Sequence, residues 1–82
     1  MEFTSQEGIE YFNYLLNERE VFKNEHGVYP SYLVLTDLNK QKLLIGMDRM
    51  GVPPKANPES TTYYFYGAEM VTGDNEGFYI NL

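Results

Sequence analysis

Residues 61–82 read TTYYFYGAEMVTGDNEGFYINL. Two runs of aromatic and β-branched residues, 63–71 and 78–82, flank a cluster of turn-forming residues at 72–77. This pattern predicts a β-hairpin that closes the chain. Because a long helical pattern comes first in the sequence, the segment places the chain in the α+β class.

The N-terminal part of the chain predicts a long amphipathic helix over residues 5–26. Thr4 is a favourable N-cap, and Glu7, three positions later, can complete a capping box. Gly27 follows the last turn, where glycine commonly adopts the left-handed conformation that ends a helix. Between these signals, apolar residues recur at helical spacing: Ile9, Phe12, Leu15, Leu16 and Phe22.

The middle of the chain predicts a strand followed by a second helix. Residues 32–36, YLVLT, form a short apolar run without alternation, which is typical of a buried central strand. Thr36 or Asp37 then caps a short helix that ends at Gly51. Gly46 lies inside this helix and is less favourable there than alanine by about 1 kcal/mol, so we expect the helix to break early.

These elements predict an α+β fold in a single domain, residues 1–82. The long helix packs on a small, mostly antiparallel sheet of about three strands, which the C-terminal hairpin closes. The second helix lies at the edge of the sheet or on its second face, and proline-rich residues 52–60 form an irregular exposed loop. We expect the core to contain Ile9, Phe12, Leu16, Leu33, Leu35, Leu44, Phe65, Met70, Val71, Phe78 and Ile80.

The composition limits the classes of function. The chain has no cysteine, which excludes disulfides, a thiol nucleophile and a thiolate metal site. Its formal net charge of −6 disfavours direct binding to nucleic acid, because phosphates repel an acidic protein. The sequence shows neither a signal peptide nor an apolar run of about 20 residues. We therefore expect a cytoplasmic protein, or a virion-associated one if it is a phage structural protein.

The sequence predicts no catalytic, cofactor-binding or metal-binding residues. His26 is the only histidine, and no nucleophile or carboxylate is placed to act with it. Residues 74–77, DNEG, lack the alternating ligand spacing of a calcium loop and are typical of a turn, with Gly73 and Gly77 at positive φ. The glutamates of the first helix lie on a solvated face with no cleft between them. We expect a protein that is not an enzyme and has no cofactor.

Tyrosines are the main candidates for an interaction surface. Alternation along a strand places Tyr64 and Tyr66 on one face, opposite Phe65. One face then packs under the long helix, and the two tyrosines are available as interface anchors unless the second helix or the proline loop covers them. On the first helix, the candidate interaction residues are Tyr11, Tyr14 and Glu18.

The order of the predicted helices and strands is also informative about the family of the protein. Residues 25–31, EHGVYPS, end the long helix and lead into the strand at 32–35. Late in the chain, FYGAEMV at 65–71 is followed by EGFYI at 76–80. This arrangement resembles the peripheral part of tailed-bacteriophage capsid subunits, in which a long spine helix crosses a small sheet. The axial domain and extended arm of those subunits have no counterpart here, so the resemblance implies a small phage or prophage protein that reuses this unit.

The leading interpretation is a non-enzymatic protein–protein interaction or assembly module of phage or prophage type. Its partner is another protein or a second copy of the chain in a homo-oligomer. One alternative is an acidic inhibitor that mimics nucleic acid and blocks a DNA-binding protein through the helix glutamates. Another is a small ligand-binding domain or enzyme, which predicts a concave pocket near Tyr29, His26 and Asp37.

Overall fold

The computed structural model describes residues 3–82 and contains two helices and four strands in this range. The strands form one mixed sheet, in which β1 is parallel to β3 and antiparallel to β4, and β2 is antiparallel to β3. The predicted α+β class is confirmed, with four strands in the order β2-β3-β1-β4 instead of about three. The elements are α1 Ser5–His26, β1 Tyr32–Leu35, α2 Asp37–Met50, β2 Tyr64–Phe65, β3 Ala68–Thr72 and β4 Gly77–Tyr79.

Helix α1 begins and ends at the predicted residues. The Thr4 side chain accepts a hydrogen bond from the Glu7 N–H at 3.1 Å, and the Glu7 carboxylate accepts one from the Thr4 N–H at 2.9 Å. These bonds complete the capping box, and they lower the pKa of the Glu7 carboxyl. At the other end, Gly27 adopts a φ of 78° and its N–H bonds to the Lys23 carbonyl at 2.8 Å.

Helix α2 does not break at Gly46, so the predicted early end is wrong. The helix continues to Met50 and ends at Gly51, whose φ is 72°. Gly46 lies where α2 crosses α1, against the backbone of Gly8. A Cβ atom on Gly46 would overlap the Gly8 carbonyl oxygen, and one on Gly8 would lie 2.7 Å from the Gly46 nitrogen. The two glycines therefore allow a close approach of the helix backbones, which compensates for the low helix propensity of Gly46.

Both helices pack on the same face of the sheet. Leu33 and Leu35 of β1 contact this helix layer, whereas Val34 between them lies outside the main core cluster and on the opposite face. The expected position of the second helix, at the sheet edge or on the second face, is therefore wrong. The buried cluster contains Phe12, Leu15, Leu33, Leu35, Leu43, Met47, Phe65, Ala68 and Met70.

The core differs from the predicted one mainly within the helices. Adjacent leucines leave the helical face ambiguous, and the structure buries Leu15 and Leu43 where Leu16 and Leu44 were expected. Ile80 was expected in the core but follows the last paired residue of β4 and is exposed. Phe12, Leu33, Leu35, Phe65 and Met70 are buried as predicted, while Ile9, Leu16, Leu44, Val71 and Phe78 are half-buried.

The predicted C-terminal hairpin is wrong. Strands β3 and β4 do not pair with each other, because β1 lies between them in the sheet. The hairpin comes earlier: Tyr66 and Gly67, with φ of 47° and 85°, form a two-residue turn between β2 and β3. Positive φ at both central residues is typical of tight hairpin turns. In the later connection, Gly77 has the predicted positive φ, but Gly73 does not.

The two edges of the sheet differ. At the β2 edge, the Tyr64 N–H donates a hydrogen bond to the Pro54 carbonyl at 2.7 Å, so the proline-rich loop covers this strand. At the opposite edge, β4 pairs with β1 on one side, and no strand within residues 3–82 pairs with its other side. The β4 edge is therefore the one at which the sheet can be extended.

Candidate functional site

A groove of about 520 Å³ lies between α1 and the β1–β4 side of the sheet. Helix α1 forms one wall, and β1 and β4 form the floor. The first turn of α2 and the connection between β3 and β4 contribute the remaining side chains. We call this feature the α1–β4 groove. It is lined by Tyr11, Tyr14, Leu15, Glu18, Val21, Phe22, Glu25, Leu33, Leu35, Asn39, Glu76, Gly77 and Phe78.

The wall of the groove is one stripe of α1. Tyr11, Glu18 and Glu25 recur every seven residues, which is close to two helical turns, so they lie above one another on the helix surface. Tyr14 and Val21 also recur at this spacing and flank them. The side chains of Tyr14 and Val21 are 55% and 39% exposed, so the groove is open to solvent along this side.

Aromatic rings supply much of the apolar surface of the groove. The rings of Phe22 and Phe78 lie 6.3 Å apart and connect α1 to β4. The rings of Tyr11 and Tyr14 stack at 6.1 Å. The His26 ring packs on Phe22 at 4.1 Å, at the C-terminal end of α1. The groove therefore offers large, rigid aromatic surfaces, which contribute strongly to binding when a partner covers them.

Three carboxylates line the same groove, and they differ in their contacts. Glu76 accepts hydrogen bonds from the Thr36 N–H at 3.1 Å and from Asn39 Nδ2 at 2.6 Å, so it attaches the β3–β4 connection to the start of α2. Glu18 and Glu25 make no ion pair with any residue in the described range 3–82. The one salt bridge within residues 3–82 joins Arg19 to its neighbour Glu20 at 3.1 Å.

Most basic side chains of the protein lie on its own aromatic rings. Arg19 Cζ lies 3.8 Å from the centroid of the Tyr29 ring, and Lys40 Nζ lies 4.4 Å from that of Tyr63. Lys42 lies beside the groove, with its Nζ 5.0 Å from the Tyr11 ring. Lys23 and Lys55 make similar contacts, so five of the six basic side chains are engaged in cation–π contacts.

The tyrosines of the groove experience a negative environment. Burial raises the pKa of Tyr11 to about 12, and the charges of Glu76 and Tyr14 add to the rise. Hydrogen bonding to the Glu18 carboxylate, followed by the negative charge of that carboxylate, raises the pKa of Tyr14. Both shifts oppose ionisation of the phenol, and the main cause is burial at Tyr11 and the Glu18 carboxylate at Tyr14.

The raised pKa of Tyr11 predicts a loss of stability in alkaline solution. The unfolded chain releases the Tyr11 proton near pH 10.0, whereas the folded protein keeps it until about pH 12. The free energy of unfolding should therefore fall as the pH rises through this window. Urea unfolding at pH 9, 10, 11 and 12 should show a smaller decline for Tyr11→Phe than for the wild type. Equal declines in the two proteins would contradict the raised pKa of Tyr11.

The structure brings together three of the five predicted interaction residues. Tyr11, Tyr14 and Glu18 line the α1–β4 groove. Tyr64 is paired with Glu69 and faces the side of the sheet without helices, where it is 36% exposed. The prediction that Tyr66 shares the face of Tyr64 is wrong, because Tyr66 lies in the turn after β2. Its ring is 6.2 Å from that of Phe12, on the helix side.

The remaining residues of the groove were not singled out by the sequence. Glu25 was assigned to the solvated side of α1, Glu76 to a turn, and Phe22 and Phe78 to the apolar faces of their elements. The seven-residue interval between Glu18 and Glu25 places both carboxylates on the stripe of Tyr11, and this signal could have linked them. The contribution of β4 depends on its pairing with β1, which no local pattern indicates.

The residues proposed for a catalytic pocket do not converge. Tyr29, His26 and Asp37 do not line the groove. Tyr29 instead stacks on Arg19 and donates a hydrogen bond to Glu20 at 3.3 Å. Within residues 3–82, no group of three or more histidine, aspartate or glutamate side chains is arranged to hold a metal ion.

Comparisons of the chain with protein-family models, with curated proteins and with solved structures found no match. The predicted relationship with phage capsid subunits therefore stays a prediction. Neither helix within residues 3–82 is long and apolar enough to cross a membrane.

Proposed function

We propose that this chain is a protein–protein interaction module, and that its α1–β4 groove binds a partner segment carrying lysine or arginine beside an apolar residue. One observation carries the proposal. The groove combines an aromatic, apolar floor with the carboxylates of Glu18 and Glu25, which form no ion pair with a basic side chain in the part of the chain that the structure describes.

The chemistry of the groove fits a segment with mixed character. An apolar side chain would cover Phe22 and Phe78 and remove their exposed surface from water. A basic side chain would lie beside Glu18 or Glu25, in the part of the groove where the Glu18 carboxylate raises the pKa of Tyr14. The net charge of −6 would also accelerate the approach of a basic partner.

The same charges favour a separate partner over a second copy of the chain. A symmetric dimer through this groove would bring two sets of Glu18 and Glu25 carboxylates together. Like charges that face each other across an interface are unfavourable. Five of the six basic side chains that could relieve this repulsion lie on aromatic rings of their own chain.

The nucleic-acid mimic is less well supported by the positions of the acids. A mimic needs a stripe of charges that can stand in for phosphates. Glu20 points away from the groove and pairs with Arg19, while Glu10 accepts a hydrogen bond from Gln6 at 3.2 Å. The acidic side chains of α1 therefore divide between the groove and other parts of the helix surface.

A second candidate function is the binding of a small organic cation. The volume of about 520 Å³ lies within the range of small-molecule sites, which supports this alternative. Small-molecule sites usually enclose most of the ligand surface, whereas this groove is open along Tyr14 and Val21. The open side therefore favours a protein segment.

A peptide titration tests the proposed function. The probe is Ac-TKTLTKT-NH2, which carries one leucine between two lysines, and its affinity is measured by calorimetry at an ionic strength of about 0.1 M, where the screening length is about 10 Å. Replacing Glu18 and Glu25 together by glutamine removes two exposed ion pairs of about 0.5–1 kcal/mol each, so affinity should fall about five- to thirtyfold. Spermidine serves as the small-cation ligand in a parallel titration.

The matched control is the double variant Glu10→Gln and Glu59→Gln. It removes the same charge from residues that do not line the groove. The control should retain affinity within about twofold, because neither carboxylate lines the groove and salt screens exposed charges that do not contact the peptide. Equal losses in the two double variants would show that only net charge matters, and would overturn the proposal. Tighter binding of spermidine than of the peptide would favour the second candidate.

A phage or prophage origin is also part of this proposal, and it is predicted from the order of the helices and strands. In that setting, the basic partner would be a component of phage assembly or a host protein. The peptide experiment tests the groove and does not depend on the origin of the chain.

A further inference from the structure

We infer that the bound segment adds to the sheet as a strand beside β4, and that every second side chain of this segment enters the α1–β4 groove. This inference rests on the proposed function and specifies how the partner binds. It is motivated by the sheet edge, by the direction of the groove and by the groove's size.

Apart from its short length of three residues, the β4 edge lacks the features that usually protect an exposed strand. Gly77, Phe78 and Tyr79 include no proline and no charged residue, which are the residue types that discourage pairing at edges. The opposite edge is protected, because Pro54 accepts the Tyr64 N–H. The residues after β4 continue with exposed apolar side chains, Ile80 at 38% and Leu82 at 69%. An added strand would therefore find both unpaired backbone groups and apolar contacts.

The groove runs along the same strand. At one end, Phe22 of α1 contacts Phe78 of β4, with ring centroids 6.3 Å apart. At the other end, the charge of Glu76, which precedes β4, acts on Tyr11 of the same helix. Side chains on one face of a strand added to β4 would therefore project toward α1, at intervals of about 6.6 Å.

The size of the groove favours an extended segment over a helical one. One turn of α-helix with its side chains is a cylinder 10–12 Å across and 5.4 Å long, which corresponds to about 400–600 Å³. The groove volume of about 520 Å³ matches a single turn. Isolated helices need about 12–15 residues to be even marginally stable in water. A helix long enough to be stable would therefore leave most of its volume outside the groove, whereas a few side chains from an extended backbone would fill it.

The spacing of the Glu18 and Glu25 carboxylates predicts the order of side chains in the bound segment. Glu18 and Glu25 are seven residues apart, so they lie about 10.5 Å apart along the axis of α1. Two lysines separated by four positions in a strand lie about 13 Å apart on the same face, within reach of both carboxylates through their flexible side chains. The residue midway between them faces Phe22 and Phe78. The expected pattern is lysine or arginine, any residue, a large apolar residue, any residue, and lysine or arginine.

Three peptides of the same charge test the binding mode. The first is Ac-TKTLTKT-NH2, which places both lysines and the leucine on one face of a strand. The second, Ac-TTKLKTT-NH2, has the same composition but places the lysines opposite the leucine. The third, Ac-AAAAKAAALAAAKAAAA-NH2, presents lysines on the leucine face of a helix. We expect the first to bind about tenfold more tightly than either of the others, which is a difference of about 1.4 kcal/mol.

Backbone N-methylation of the first peptide provides a second readout. In a β-ladder, the N–H groups of alternate residues point toward the neighbouring strand. N-methylation at successive positions should therefore weaken binding with a period of two residues. A uniform effect along the peptide would overturn the inference, because a segment bound only through its side chains has no such alternation.

The outcomes separate this inference from the proposed function. Tighter binding by the helical peptide, or equal binding by the two extended peptides, would overturn strand addition and leave the basic-segment groove intact. If none of the three peptides binds, and the Glu18 and Glu25 variants therefore change nothing, the proposed function itself fails. If Ac-TKTLTKT-NH2 binds most tightly and N-methylation has alternating effects, the result supports both the proposed function and strand addition beside β4.

Discussion

Replacing Gly46 by alanine should lower the free energy of unfolding by about 3 kcal/mol, at the upper end of the usual effect of overpacking. The added Cβ atom would overlap the Gly8 carbonyl oxygen and lie 2.9 Å from Phe12 Cβ. The backbone cannot rotate away as a side chain can, so the helices must separate. At an exposed helical position, replacing glycine by alanine would stabilise the protein by about 1 kcal/mol. A loss of stability for Gly46→Ala would therefore show that Gly46 lies at the close crossing of α1 and α2.

Urea unfolding followed by circular dichroism measures this effect. Gln41→Ala, at an exposed position of the same helix, is the matched control and should change stability by less than about 0.5 kcal/mol. The double variant Gly8→Ala and Gly46→Ala should lose less than the sum of the single losses, because one separation of the helices relieves both overlaps. An increase in stability for Gly46→Ala would contradict the close crossing of α1 and α2.

Phe12→Ala should lower the free energy of unfolding by about 3–5 kcal/mol. The Phe12 side chain is 1% exposed, and its ring meets that of Phe65 edge-on with centroids 5.7 Å apart. Removing it leaves a cavity between both helices and the sheet. A chain of 82 residues has a total stability of about 4–12 kcal/mol, so the variant loses a large share of it.

Asn13→Ala is the control for Phe12→Ala, because Asn13 is the next residue on α1 and is exposed. It should change stability by less than about 0.5 kcal/mol. A loss below about 1 kcal/mol for Phe12→Ala would mean that α1 packs through a different face. Similar losses in the two variants would lead to the same conclusion.

The ends of both helices could be predicted because their signals are local. Thr4, Glu7 and Gly27 act within one turn of their own helix, and Thr36 and Gly51 do the same for α2. A capping hydrogen bond joins residues three positions apart, so it survives any arrangement of the remaining chain. The long helix, the central strand and the α+β class followed from these signals and from the apolar periodicity.

The order of the strands could not be predicted, because it depends on contacts far apart in sequence. Tyrosine has a high preference for strands, so residues 63–71 gave the pattern of one continuous strand. The structure instead turns at Tyr66 and Gly67, and β1 inserts between β3 and β4. Pairing of Leu33 with both Met70 and Phe78 joins residues more than 35 positions apart, and no short pattern carries this information.

The candidate site was predictable only in its helical part. Tyr11, Tyr14 and Glu18 share a helical stripe, and their proximity follows from the period of the α-helix. Glu76 and Phe78 join them only because β4 pairs antiparallel with β1, on the side that the helix layer leaves open. The groove therefore arises from the topology of the sheet.

The most direct test of the basic-segment groove is a titration of ¹⁵N-labelled protein with Ac-TKTLTKT-NH2, followed by two-dimensional NMR. We predict that saturable shifts of backbone amide signals concentrate at residues 14–25 of α1 and 76–80 around β4. Signals of Tyr64 and Val71, which face the other side of the sheet, should remain in place. Shifts centred on that other face, or no saturable shifts at millimolar peptide, would contradict the account.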